Sequence, residues 1–282
     1  MTIHSTSTLS TISVQIDGLR ELIARRYGFW VKDAWLNQLQ DRVASRMQAA
    51  DARSFSDYLE RLKNVETGRG ELHTLIEDLF IHETSFFRTQ PHFDALKDCV
   101  LPSLFGGKTE TKVRIACLGC SSGEEPYSVA IAACQALPKS FLSSLEITGL
   151  DASTRVLNKA KSARYSSLQL RELDPSERTR WFSRAGELWE VRPEIRQMVR
   201  FYQHNLMEPL TMTGLDVIFC RNVLIYFSRS VVASVISSCH SALSLGGYLF
   251  LGHTESALEY SKLFRPIHAA DTVYYQRLAI AP

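Results

Sequence analysis

The segment Arg114-Ile-Ala-Cys-Leu-Gly-Cys-Ser-Ser-Gly-Glu-Glu-Pro-Tyr127 restricts the fold more than any other stretch, because an apolar strand runs straight into a glycine-bearing turn and then a helix. Gly119 and Gly123 permit backbone angles or close approaches that a Cβ forbids, and Pro126 suits the first turn of a helix. Such a turn aims backbone amides at a ligand. The spacing is neither the G-x-G-x-x-G of a dinucleotide fold nor the G-x-x-x-x-G-K-[ST] of a phosphate loop, which argues against a nicotinamide or a nucleoside triphosphate. Leu145-Glu-Ile-Thr-Gly-Leu-Asp151 reads as a second strand ending in a carboxylate, with a crossover helix over 127–137 between the two. Strand, loop, helix, strand, acid is a nucleoside-binding order, in which the carboxylate accepts hydrogen bonds from ribose hydroxyls. Asp151 is the candidate. An ordinary α/β layer, with these residues only ending strands and capping a helix, shares the pattern, so other segments have to decide.

A chain of 282 residues with 45% hydrophobic content favours two domains over one. The net charge of +2 points to neither a nucleic acid nor a membrane surface as partner. The polar start Met1-Thr-Ile-His-Ser-Thr-Ser-Thr-Leu-Ser lacks the apolar run of a signal peptide, and no stretch reaches the ~18 apolar residues of a membrane span, which predicts a cytoplasmic chain. Six cysteines sit in apolar or small-residue surroundings, as reduced core cysteines do. Cys117 and Cys120 form a C-x-x-C, but no second pair or histidine set at ligand spacing accompanies it, so no metal site is expected.

Helical periodicity runs from about 14 to 80: Trp35, Leu36, Leu39, Val43 and Met47; Phe55, Tyr58, Leu59 and Leu62; Leu72, Leu75, Ile76, Leu79 and Phe80. This predicts a small all-α domain over 1–90, with Ser54 or Ser56 capping its second helix and Gly68-Arg-Gly70 separating the second from the third. From 91 to 282 strands and helices alternate: strand 112–118, helix 125–137, strand 145–150, helix 153–162, strand 215–220, helix 228–243, and strands 247–252 and 272–277 as a closing pair. The expected fold is a doubly wound, mostly parallel sheet. Strands near 187–191 and 199–204 lie close together with no useful helix between them, so a short antiparallel excursion is expected over 187–204.

Three further segments add specificity: His82-Glu-Thr-Ser-Phe-Phe-Arg88, His204-Asn-Leu206, and Asp216-Val-Ile-Phe-Cys-Arg-Asn-Val-Leu-Ile-Tyr-Phe227. With the glycine turn, in this order, they resemble the bacterial chemotaxis receptor methyltransferases, S-adenosylmethionine-dependent enzymes that esterify glutamates of chemoreceptors for sensory adaptation. The resemblance spans nearly the whole chain and is strongest from 79 to 256. It implies a helical N-terminal domain, a doubly wound domain holding the cofactor, and a small antiparallel subdomain within the latter. It also carries over residues. Cofactor contacts fall on His82, Thr84, Arg88, Glu124, Asp151, Asn205, Leu206, Arg221 and Asn222. Arg88 and Tyr226 are the catalytic candidates, Arg88 through its bidentate fork and Tyr226 near the transferring methyl group. The product is S-adenosylhomocysteine.

The residues themselves qualify that picture. A glutamate acceptor is already ionised at pH 7, with an ordinary pKa of about 4.3, so attack on a sulfonium donor needs no general base. Phe86 and Phe87 read as core anchors, and Glu255 of Gly252-His-Thr-Glu-Ser256 as a structural hydrogen-bonding residue. His82 stands where the family usually has Asn, and Thr89 where it is often acidic. Arg42 and Arg46 offer helically spaced cations for docking on the cytoplasmic methylation helices of a chemoreceptor, a thinner footprint than the family's arginine-rich helix. A monomer is expected. The rival readings are methylation of a small molecule and a non-catalytic module that binds the cofactor and regulates a partner.

Overall fold

The computed structural model describes residues 4–79, 84–106, 112–269 and 271–279. It divides into two compact units, Met1–Ile81 with Tyr226–Val231, and His82–Ile225 with Val232–Pro282. The first begins with helices α1 (His4–Tyr27), α2 (Leu36–Ala49), α3 (Phe55–Lys63) and α4 (Gly68–Leu79). Their apolar stripes meet in a core of Leu19, Ile23, Leu39, Val43, Tyr58, Leu62, Leu72, Leu75 and Ile76. Ser54 is the cap of α3, its Oγ accepting from the Asp57 amide at 3.1 Å. Gly68 is the first residue of α4 and not part of a separator. A Cβ there would fall 2.1 Å from the Arg61 carbonyl oxygen, so only glycine lets α4 start against the last turn of α3.

The larger unit opens with α5 (Gln90–Ala95) and α6 (Leu101–Phe105). It continues through β1 (Val113–Leu118), α7 (Glu124–Ala136), a short α8 (Lys139–Leu142), β2 (Leu145–Asp151) and α9 (Thr154–Ser162). Then follow β3 (Arg164–Tyr165), α10 (Pro175–Trp181), β4 (Phe182–Ala185), β5 (Leu188–Val191), α11 (Pro193–Arg196) and β6 (Val199–Gln203). The chain ends with β7 (Leu215–Cys220), α12 (Arg229–Ala242, its first turn in the smaller unit), β8 (Leu243–Leu251), β9 (Phe264–Ala269) and β10 (Thr272–Arg277). Seven strands make one sheet in the order β6-β2-β1-β7-β8-β10-β9. The first five run parallel, and β10 is antiparallel to both β8 and β9. Ile115–Leu118 and Val217–Cys220 are buried throughout, as central parallel strands covered on both faces must be.

The antiparallel excursion differs from its sequence expectation. β5 pairs with β3 and β4 in a separate three-stranded antiparallel sheet that begins at Arg164. β6, by contrast, is the parallel edge strand of the large sheet, in register with β2 from Ile147↔Val199 to Asp151↔Gln203. Its alternation explains the assignment: Val199 and Phe201 are buried while Arg200 and Tyr202 are exposed, the pattern of a strand covered on one face only. The small sheet, α10 and α11 therefore form part of the crossover from β2 to β6. Among the described residues, no helix is long and apolar enough to cross a membrane.

Candidate functional site

The carboxyl ends of β1, β2, β6 and β7 bring most of the candidates together within the larger unit. Gly119 and Gly123 have φ of +69° and +92°. A Cβ on Gly119 would lie 2.9 Å from Val223 Cγ2, and one on Gly123 would lie 2.8 Å from Ala160 Cβ and 3.0 Å from Tyr165 Oη. Neither position accommodates a side chain without movement of its neighbours. Asp151 holds the turn: its Oδ2 accepts from the Ser121 amide at 2.8 Å and its Oδ1 from the Ser153 amide at 2.9 Å. Its carbonyl accepts from the His204 amide at 2.9 Å, so one residue ties the ends of β1, β2 and β6.

Two adjacent glutamates open α7 and part ways. Glu124 is fully buried, with Ser122 Oγ at 2.9 Å from each carboxylate oxygen and Gln169 Nε2 donating to Oε1. Burial raises its pKa, against the pull of those hydrogen bonds. The sequence expectation named Glu124 as a cofactor contact; in the structure both of its oxygens are engaged by neighbouring side chains. Glu125, which sequence reasoning missed, accepts from Arg221 Nη1 at 3.0 Å. The other arm of that guanidinium donates to the Arg88 carbonyl, and the guanidinium lies 5.6 Å from the Phe93 ring centroid. Burial raises the Glu125 pKa and lowers that of Arg221, while each charge opposes the shift of the other.

The segment around Arg88 is pinned from beneath. Phe86 donates its amide to the Gln169 carbonyl at 2.9 Å, and Phe87 donates to Ser128 Oγ at 2.9 Å. Phe86 sits edge-on to Tyr165 and Phe182, both at 4.8 Å, and Phe87 to Phe93 at 5.0 Å, so both are the core anchors expected of them. Phe87 and Thr89 flank Arg88 with φ of +53° and +65°, left-handed angles that non-glycine residues hold only when their surroundings enforce them. Thr84 and Arg88 are half-buried. His82 lies outside the described residues.

Asn205 and Leu206 follow β6 and are half-buried, Asn205 Oδ1 closing a turn by accepting from the Met207 amide at 3.0 Å. Asn222, at φ +55°, follows Arg221 after β7. This loop rests on Glu255, which has the structural role expected. Its carboxylate accepts from the amides of Asn222 (2.8 Å), Leu224 (2.8 Å), Ile225 (3.2 Å) and Gly252 (2.7 Å). Ser85 Oγ, His204 Nε2 and Arg221 Nε are buried without a hydrogen-bond partner, and all three belong to these segments. Tyr226 belongs to the smaller unit, where its ring packs 5.7 Å from Phe29 and 5.5 Å from Trp35. Cys117 and Cys120 are buried free thiols whose pKa values burial raises well above the ordinary range, as fits packing residues.

A family model described as "CheR methyltransferase, SAM binding domain" matches residues 82–273, and one described as "CheR methyltransferase, all-alpha domain" matches residues 15–80. The chain is 33% identical to "Chemotaxis protein methyltransferase 2" of Vibrio cholerae, over 87% of this chain and 86% of that protein. It is also 33% identical to "Chemotaxis protein methyltransferase 1" of Pseudomonas aeruginosa, over 84% of this chain and 88% of that protein. A third relative, "Probable biofilm formation methyltransferase WspC" of Pseudomonas aeruginosa, is 32% identical over 94% of this chain and 63% of its own length.

Proposed function

Since the chain belongs to the CheR methyltransferase family, with an all-α domain followed by an S-adenosylmethionine-binding domain, we propose that it converts glutamate carboxylates of a chemoreceptor into methyl esters. The residues present suit the donor. Asp151 is a carboxylate fixed at a strand end by two amides, the arrangement that accepts hydrogen bonds from a ribose. Buried polar atoms without partners cost about 1–3 kcal/mol each, which a polar-ended ligand offsets, and Ser85 Oγ, His204 Nε2 and Arg221 Nε are three such atoms in the segments named for it. Thr84, Arg88, Asp151, Asn205, Leu206, Arg221 and Asn222 are the residues we assign to hold it. Glu125 joins them as the partner that keeps Arg221 charged and in place.

When bound, S-adenosylmethionine supplies a methyl group activated by a sulfonium charge. The protein's contribution is orientation. The acceptor carboxylate is ionised at neutral pH, so no side chain has to remove a proton. Arg88, on a turn fixed by Phe86 and Phe87, offers a guanidinium to a carboxylate. Tyr226 offers a phenol in a fixed orientation. Holding an acceptor within near-attack range supplies several kcal/mol of the barrier without any covalent step. The product is neutral where the substrate was charged, so the cationic groups that attract the substrate release the ester.

In the smaller unit, Arg46 is committed to Glu71, whereas Arg42 is exposed on the same helix, so receptor docking through α2 rests on Arg42. We place the enzyme in the cytoplasm as a monomer. The name of the third relative makes a receptor involved in biofilm formation a second candidate substrate. The observation that carries the reading is the Asp151-held glycine turn within a matched S-adenosylmethionine-binding domain. The test is incubation with tritiated donor and receptor cytoplasmic domains, followed by alkaline release of methanol. Base-labile label on a receptor domain is expected; base-stable label, or none, rejects carboxyl methylation.

A further inference from the structure

We propose that Phe29 and Trp35 are positioning residues for Tyr226: the helical unit sets the orientation of a phenol that the chain places directly after the larger unit's Glu255-bound loop. The inference rests on the reading of Tyr226 as a residue beside the transferring methyl group. The loop that leaves β7 is held in the larger unit as far as Ile225, whose amide donates to Glu255 Oε1 at 3.2 Å. One residue later the chain has changed units. Tyr226 accepts at its carbonyl from the Trp30 amide at 2.9 Å, and Phe227 forms an antiparallel bridge with Phe29. Both backbone contacts come from the segment between α1 and α2.

The side chain follows the backbone. Phe29 and Trp35 stack nearly parallel, 9° apart with centroids at 6.0 Å, and Tyr226 leans on both at 48° and 42°. Phe29 is buried, so it is a fixed wall. Phe29, Val31, Trp35, Gln38, Leu79 and Tyr226 line one cavity, an apolar slot with a single amide side chain. A tilted ring held against two aromatic neighbours has few rotamers open to it. The phenol is therefore pre-oriented by residues that sit early in the chain, in a domain otherwise assigned to docking. Displacement of a reacting group by about 1 Å costs roughly a hundredfold in rate, so the quality of this support is visible in turnover.

The test compares Trp35→Ala, Trp35→Phe and Tyr226→Phe in the full-length protein with tyrosine labelled at ring carbon ζ. The Tyr226 resonance is assigned by its loss in Tyr226→Phe. In Trp35→Ala that resonance is expected to shift or broaden, and kcat to fall by roughly ten- to a hundredfold, while the affinity for S-adenosylhomocysteine by calorimetry stays within about twofold. Trp35→Phe restores most of both signals. An unmoved Tyr226 resonance in folded Trp35→Ala overturns the inference, as does a loss of cofactor affinity that parallels the loss of kcat. Should Trp35→Ala fail to fold, Phe29→Leu takes its place with the same readouts. Full activity in Tyr226→Phe rejects the role given to Tyr226 itself, an outcome separate from whether Trp35 moves its ring.

Discussion

Each unit contains an arginine–glutamate pair away from solvent, and the two are built differently. In the helical unit Arg46 grips Glu71 with both prongs, Nε at 3.0 Å and Nη2 at 2.5 Å, and Tyr58 adds its hydroxyl at 2.7 Å. The side chains retain 24% and 23% exposure, and the arginine lowers the Glu71 pKa. In the larger unit Arg221 and Glu125 are 2% and 15% exposed, share one contact at 3.0 Å, and leave Nε unmet. Burial dominates there and raises the Glu125 pKa. A fork closed on one carboxylate joins two helices, and desolvation costs it little. A fork opened between a carboxylate and the Arg88 carbonyl ties two loops, accepting a larger desolvation cost. The first arrangement joins α2 to α4, and the second ties the loop after β7 to α7 and to the segment carrying Arg88.

Mutation separates the two. Arg221→Ala leaves Glu125 buried without its cation and is expected to cost about 3–5 kcal/mol by denaturant unfolding, with loss of S-adenosylhomocysteine binding. A loss below about 1 kcal/mol would mean that Glu125 does not depend on the Arg221 charge. Glu71→Ala strands the partly exposed Arg46 guanidinium and the hydroxyl of buried Tyr58 and is expected to cost about 2 kcal/mol, with cofactor affinity unchanged by calorimetry.

The pH dependences run in opposite senses. Glu71 has a lowered folded-state pKa, so its contribution is fully present above the unfolded value of about 4.3 and disappears as pH falls through the lower folded value. Glu125 has a raised folded-state pKa, so stability declines as pH rises from about 4.3 through that higher value. Urea midpoints between pH 3 and 7 check both: Glu71→Gln flattens the acid limb, Glu125→Gln the limb above it. Arg42→Ala, with no packed partner to lose, is expected to change stability by less than about 0.5 kcal/mol. It should slow receptor methylation a few-fold at low salt and not at high salt, which initial rates at two ionic strengths would show.

Much of this was legible in the chain. Gly119, Gly123 and Asp151 lie within one strand–turn–helix–strand run, where spacing in sequence equals spacing in the fold, and the periodic stripes located α2, α3 and α4. What spacing does not encode was missed. Glu124 and Glu125 are the same residue type side by side, yet they point about 100° apart on a helix, one to Ser122 and Gln169, the other to a guanidinium 96 positions away. The edge position of β6 and the pairing of β3, β4 and β5 depend on neighbours far along the chain. β9, with only Phe264 fully buried, offers little alternation to read.

The four amides gathered on Glu255 have a consequence for synthesis. Asn222, Leu224 and Ile225 leave the ribosome 30 or more residues before the carboxylate that organises them. Until that acid emerges, the nascent chain can build most of its parallel strands but not the bend that follows β7. A product terminated just short of residue 255 would hold the five parallel strands, lack β9 and β10, and leave the bend after β7 without its acceptor.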